Sequence, residues 1–249
     1  MRVSDLDETS RPEATSRSFY SARVSEFLAA DPDAVIGRLS SRHVATHAAA
    51  EQEQVRAWER EIEILQEVFK QLGETVEPWT LLIEAPLLRL GKRLDAVLLA
   101  PGIVCVIEFK IGARSYAAED RVQTERYAQS LKDFHAASQS RLVIPILCAE
   151  HAPTVRAAQG FVDGVASLVL TNASGLAGVL RALTTQVDHA AEPLDAYGFD
   201  FSSYRPTPTI VEAAQALRFE AETAAALPCG GDALVGDDAE LGHGACTPA

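Results

Sequence analysis

The chain has 249 residues, 47% of them hydrophobic, and a formal net charge of −13. That length holds one sizeable α/β domain with appendages or two small ones, and the acidic balance excludes binding of nucleic acid by bulk positive charge. No apolar run reaches the roughly eighteen residues needed to span a bilayer. The N-terminal stretch lacks the apolar core of a secretory signal, so a cytoplasmic protein with no membrane partner is expected.

The acid is uneven. The first ~35 and last ~30 residues hold much of it, whereas Lys110 to Arg141 is mildly basic, so any contact with nucleic acid is expected to be local. Cys105, Cys148, Cys229 and Cys246 show no CxxC spacing, and His43, His47, His135, His151, His189 and His243 show no HExxH or His/Cys ligand spacing. This argues for reduced thiols and against zinc. There is no GxSxG elbow and no GxxxxGK[ST] phosphate loop, so neither a serine hydrolase nor an ATPase is expected.

In chain order, residues 1–18 are polar and aperiodic, and disorder is expected there. Phe19 to Leu39, with scattered apolar residues around Asp31-Pro32, reads as an arm with one short helix. From Ala48 to Leu72 the apolar residues Val55, Trp58, Ile62, Leu65, Phe69 and Leu72 recur at helical steps. Glu61 falls inside that apolar arc, while Glu59, Glu63 and Glu67 fall outside it. Glu61 is therefore either an edge residue paired with an arginine or an acid turned towards a site.

Gly73 stops the helix, and Trp79–Glu84 reads as a first strand. Arg93–Ala100 and Ile103–Lys110 are two apolar runs joined at Pro101-Gly102, the composition of buried strands and a tight turn. With Ala100 opposite Ile103, Asp95 falls opposite Glu108, and Lys110 shares the face of Glu108. A helix follows from about Ala118 to Ala137, with Gln123, Tyr127 and Leu131 stacked one turn apart. Leu142–Cys148 is a further strand, its Pro145 suggesting an edge or an irregularity. Ser167–Leu170 is a short strand, and a helix runs from about Gly175 to Val187. The domain 19–190 is followed by a linker and alanine-rich helix over 191–226, capped by Thr209, and by a disordered tail at 227–249.

The chemistry lies in Asp95, Glu108 and Lys110. Directly opposed carboxylates stand roughly 5 Å apart and repel unless something positive lies between them. Hard oxygen donors favour Mg2+ or Mn2+ over zinc, and such a cation polarises a phosphoryl oxygen and activates water. The bland reading makes Asp95 a strand-edge residue and Glu108–Lys110 a simple ion pair. Arg114, Arg121, Arg126, Lys132 and Arg141 form either a solvated face or the path of a phosphate backbone.

Leu94-Asp95 followed by Ile107-Glu108-Phe109-Lys110 resembles the active-site signature of the PD-(D/E)xK nuclease superfamily, and Gln123-Thr124-Glu125-Arg126-Tyr127 resembles the QxxxY element of its RecB-like branch. The resemblance implies a restriction-endonuclease-like α/β fold: a mixed central sheet of about five strands, with helix Ala48–Leu72 on one face and helix Ala118–Ala137 on the other. It implies Mg2+ or Mn2+ held by Asp95 and Glu108, with Glu61 as the upstream glutamate. Lys110 would serve the attacking water, and Gln123 and Tyr127 would orient the lysine or touch nucleic acid. Leu94 stands where the family usually has proline.

The Phe19-Tyr20-Ser21 arm, the Ala57-Trp58 helix and the Tyr204–Ile210 linker further resemble the N-terminal half of bacterial nuclease–helicase proteins of the superfamily 1-like, Schlafen-related kind. The expectation is a Mg2+-dependent DNA nuclease working with a separately encoded helicase, the chain being a truncated or out-of-frame relative of such fusions. The competing expectation is a catalytically silent nucleic-acid-binding or scaffolding domain. Tyr127 reads equally as plain core.

Overall fold

The computed structural model describes residues 16–46, 52–155, 160–188, 190–207, 210–211, 213–215 and 217–218. The expected disorder of 1–15 and 227–249, the end of the expected alanine-rich helix at 219–226, Cys229, Cys246, His47, His189, His243 and the Thr209 cap lie outside them. Contacts divide the chain between Pro208 and Thr209. In the second unit, residues 210–211, 213–215 and 217–218 are helical, in line with the start of the alanine-rich helix.

The first unit begins with strand β1 (Tyr20–Arg23), helix α1 (Val24–Ala29) and helix α2 (Pro32–Thr46). The arm thus carries a strand and two helices rather than one short helix. Pro32 opens α2 at the position where its missing N–H costs nothing, and Asp31 Oδ1 accepts from the Asp33 amide at 3.3 Å. Helix α3 (Gln52–Leu72) follows, then β2 (Thr80–Leu87), β3 (Lys92–Ala100), β4 (Ile103–Lys110), α4 (Ala118–Phe134), α5 (Ala136–Gln139), β5 (Leu142–Ala149), β6 (Phe161–Val162), β7 (Val165–Ala166), β8 (Val169–Thr171), α6 (Leu176–Thr184) and α7 (Ala196–Asp200).

Eight strands form one mixed sheet in the order β1-β2-β3-β4-β5-β7-β6, with β8 also on β5. The β1–β2, β2–β3 and β3–β4 pairs are antiparallel, while β5 is parallel to β4, β7 and β8. The three strands beyond the expected five are β1, β6 and β7, each of four residues or fewer, too short to leave an alternation.

Two cores cover the sheet. On one face α1, α2, α3 and α6 pack Phe27, Leu39, Trp58, Leu65, Phe69 and Leu180 against Leu81, Leu98, Cys105 and Ile146. On the other, Tyr127, Ala128 and Leu131 of α4 and Phe199 of α7 pack against Leu82, Val97, Val104 and Val106. The placement of α3 and α4 on opposite faces is as expected, and so is the exposure of Glu59, Glu63 and Glu67 beside a buried Glu61.

Three local features depart from the sequence reading, and a fourth resolves an alternative. Pro145 is in an interior strand, so of an edge and an irregularity it marks the irregularity. Its missing N–H faces the gap between the β7 pairing at Val143 and the β8 pairing that starts at Ile146. The helix expected to reach Ala137 stops at Phe134, where His135 turns extended (φ −101°, ψ 103°). There the His135 ring donates from Nε2 to the Phe199 carbonyl (2.8 Å) and accepts at Nδ1 from the Ser138 hydroxyl (2.7 Å).

The domain also extends at both ends. Ser16 and Ser18 bond to the buried Asp200, the Ser18 hydroxyl at 2.6 Å and its amide at 3.0 Å. Ordered chain thus begins before residue 19 and packing continues past residue 190. No helix among the described residues is long and apolar enough to cross a membrane.

Candidate functional site

The β3–β4 hairpin fixes the geometry. Its rungs run from Ala100↔Ile103 to Ala96↔Ile107, the expected register, across a two-residue loop in which Gly102 has φ 76°. That value suits the third position of a type II turn, and a Cβ there would also meet the Asp188 Cβ at 3.1 Å. Beyond the last rung the carboxylates take over from the ladder. The Asp95 amide donates to Glu108 Oε1 at 3.4 Å, and the Phe109 amide donates to Asp95 Oδ2 at 2.8 Å. The two acids thus face one another where the strands part.

Glu108 is buried to 1% exposure and Glu61 to 7%. α3 brings Glu61 close enough that Asp95, Glu84 and Glu108, after burial itself, push its carboxyl well above the ordinary range, with Lys110 working against them. Burial and then Asp95 raise Glu108 well above that range, while Lys110, the Asp95 amide and Gln123 partly relieve it. Burial pushes Asp95 up to about 7, with Glu84 adding to it and the Phe109 amide and Lys110 opposing. Burial is the largest influence on Lys110 and lowers its pKa, but Asp95, the Asp120 hydrogen bond and Glu108 together hold it above its usual value. Lys110 is therefore an ammonium here.

The arginine that could have neutralised Glu61 is committed elsewhere. Arg60 Nε bonds Glu150 Oε1 at 2.6 Å and its Nη1 bonds Glu63 Oε2 at 2.8 Å. Glu150 also accepts from the Gly112 amide at 2.8 Å, which pins the loop after Lys110.

Gln123 and Tyr127 reach the site from α4, though not both as expected. Gln123 Nε2 donates to Glu108 Oε2 at 3.2 Å, so it orients an acid and not the lysine. Asp120, one turn earlier, holds Lys110 at 3.2 Å. Tyr127 combines both readings: its ring is core, and its phenol is raised by burial and then by Glu108 and Asp95.

Of the basic scatter, Arg114, Arg121 and Arg126 are exposed. Lys132 is tied to the Gln139 and Arg141 carbonyls (2.7 and 2.8 Å) and Arg141 to those of Ala137 and Glu192 (2.6 and 2.7 Å), so these two are structural. A groove of about 560 Å³ lined by Leu90, Lys92, Val122, Gln123, Arg126 and Tyr127 runs beside the acids.

Sequence reasoning missed Glu84 and Asp120. Glu84 is opposite Asp95, between the Ile83↔Ala96 and Ala85↔Leu94 rungs, with φ 53°. A non-glycine residue there carries backbone strain, and the kink lets Glu84 Oε1 accept from Trp58 Nε1 at 2.9 Å. An acid inside an apolar strand was the available signal, the same one that marks Asp95.

Among the described residues, no three His, Cys, Asp or Glu side chains stand at the geometry of a metal cage. The donor set nevertheless fits a hard cation, because buried carboxyls held above their normal range gain most from one. Mg2+ in particular is commonly held by one or two carboxylates, with water and phosphate completing its shell. Compared with models of known protein families, with curated proteins and with solved structures, the chain matches none.

Proposed function

We propose that this chain is a metal-dependent nuclease of restriction-endonuclease-like architecture and RecB-like type, acting on phosphodiester bonds of DNA. The observation that carries the reading is the crossed bonding at the end of the β3–β4 ladder, where the Asp95 amide donates to Glu108 Oε1 and the Phe109 amide to Asp95 Oδ2, with Lys110 two residues beyond Glu108 on the same strand. Asp95 and Glu108 would hold Mg2+ or Mn2+, with Glu61 beyond them. When bound, the cation polarises the phosphoryl oxygen and makes water a better nucleophile at neutral pH.

The chain's own groups supply the rest. In hydrolysis a water oxygen forms a bond to phosphorus while the bond to the leaving sugar oxygen breaks; one water proton is lost to solvent and the leaving oxygen gains one. Lys110, charged and fixed by Asp120, places an ammonium where negative charge builds on the phosphoryl oxygens. Gln123 fixes one oxygen of Glu108, and preorganisation of this kind keeps a ligand in place without cost during reaction.

A second reading, a silent nucleic-acid-binding or scaffolding domain that works with a separate helicase, is favoured by the lack of a three-ligand cage among the described residues. Incubating the purified chain with labelled linear and circular DNA and RNA, in Mg2+ or Mn2+ against chelator, separates the two. Metal-dependent cleavage is expected, and binding without cleavage in either metal selects the silent domain.

A further inference from the structure

Away from the α4 groove, four arginines of the arm, α2 and β3 gather around two neighbouring grooves. Two adjoining grooves of about 460 and 330 Å³ share Ser16, Phe19 and Arg42, and between them are lined by Arg17, Arg38, Arg42 and Arg93. Among the described residues, no Asp or Glu lines either one. Asp200, beside the grooves, is buried and bonded to Ser16 and Ser18, so it anchors the arm, and with Glu84 it acts on Arg93.

Aromatic faces position three of the guanidinium groups. Arg17 lies 4.5 Å over the Phe201 ring, Arg38 5.6 Å over Tyr20 and Arg93 3.7 Å over Phe19. Stacking uses the face of a guanidinium and leaves its in-plane N–H groups for acceptors; Arg17 Nη1 already meets the Asp200 carbonyl at 3.3 Å and Arg93 Nη1 those of Arg17 and Glu84, which leaves their other N–H groups for an anion. Arg17 and Arg38 are exposed.

Arg93 is the link between the second groove and the carboxylates. Arg93 is two residues before Asp95 on β3, and its guanidinium donates to the backbone carbonyl of Glu84, whose side chain acts on both Glu61 and Asp95. Two joined grooves suit successive phosphates of one chain, where a lone phosphate would fill only one. Phe19 and Tyr20 are 4% and 5% exposed, so they offer no face for bases to stack on.

We propose that the arm and α2 form a sequence-independent track for the phosphodiester backbone of the strand entering the carboxylate site, with Arg17 and Arg38 as outer contacts and Arg93 as the inner one. The substrate class rests on the nuclease reading, so the test is made without catalysis. Anisotropy of a labelled single-stranded DNA oligonucleotide is measured in chelator across a salt series. The samples are the full chain, its Arg17→Glu/Arg38→Glu variant, and a Lys70→Glu/Arg181→Glu variant of equal net charge.

The track variant should lose affinity by about tenfold or more, to the same extent for unrelated sequences, and its log K against log salt slope should flatten by about 1.4, two single-strand phosphate contacts at ~0.7 each. The control should stay close to the parent. Should the charge reversal impair folding, Arg17→Gln/Arg38→Gln gives a smaller loss of the same kind. Unchanged affinity and slope, or equal loss in the control, overturns the track, as does a parent chain that binds no oligonucleotide at low salt. If the parent cleaves in Mg2+ while the track variant binds normally, only the track falls; loss of binding in that variant with no cleavage by the parent removes only the nuclease reading.

Discussion

Replacing Glu108 by glutamine should lower metal-dependent cleavage on the order of 10^3-fold or more and, in chelator, raise the melting temperature. Glutamine keeps the shape and the oxygen that meets the Asp95 amide but removes a buried charge raised first by desolvation and then by Asp95. If ~2 kcal/mol is released at pH 8, the melting temperature rises by roughly 4–8 °C for a chain of this size. As pH falls and the native carboxyl takes up its proton, the two melting temperatures should converge. Asp95→Asn should behave alike. Asp95→Ala is a poorer probe, because it strips the Phe109 amide of its acceptor and an orphaned buried donor costs about 1–3 kcal/mol. Full cleavage by Glu108→Gln in a nuclease assay would remove that residue from the site.

The second large effect is on stability against pH. Glu61, Asp95 and Glu108 all have folded pKa values above their ordinary ones. Their contribution is therefore fully present below the unfolded pKa, about 4 for carboxylates, and is lost as pH rises through the folded values. For Asp95 alone, raised from 3.8 to about 7, the loss is on the order of 4 kcal/mol by pH 8. Thermal melts in chelator should show stability falling between about pH 4 and pH 8. Added Mg2+ should reverse much of the fall, since a hundredfold excess over its Kd contributes about 2.7 kcal/mol. Cleavage should rise with pH over the same window, as protons leave the ligands. Flat melts from pH 5 to pH 8 would deny that the cluster is strained.

Much of this arrangement could be read from the residues, because it depends on period-two geometry around a fixed turn. Pro101-Gly102 sets the register, the register sets Asp95 against Glu108, and helical period alone separates Glu61 from Glu59, Glu63 and Glu67. What escaped depends on contacts between distant parts of the chain. The kink at Glu84 is held by Trp58 from another element. The stop at Phe134 depends on residues 64 or more positions away that receive His135 and its neighbours. The partner of Lys110 turned out to be Asp120 because the end of β4 lies over the first turn of α4 and not its second.

On the proposed function, Asp95 and Glu108, with Glu61 nearby, take up a divalent cation in exchange for protons. Calorimetric titration of the chain with Mn2+ at pH 7, repeated in two buffers of different ionisation enthalpy, reads that exchange directly. Saturable binding with net proton release is expected, both strongly reduced in Glu108→Gln. Saturable uptake with no proton release, or identical titrations of parent and variant, would contradict it.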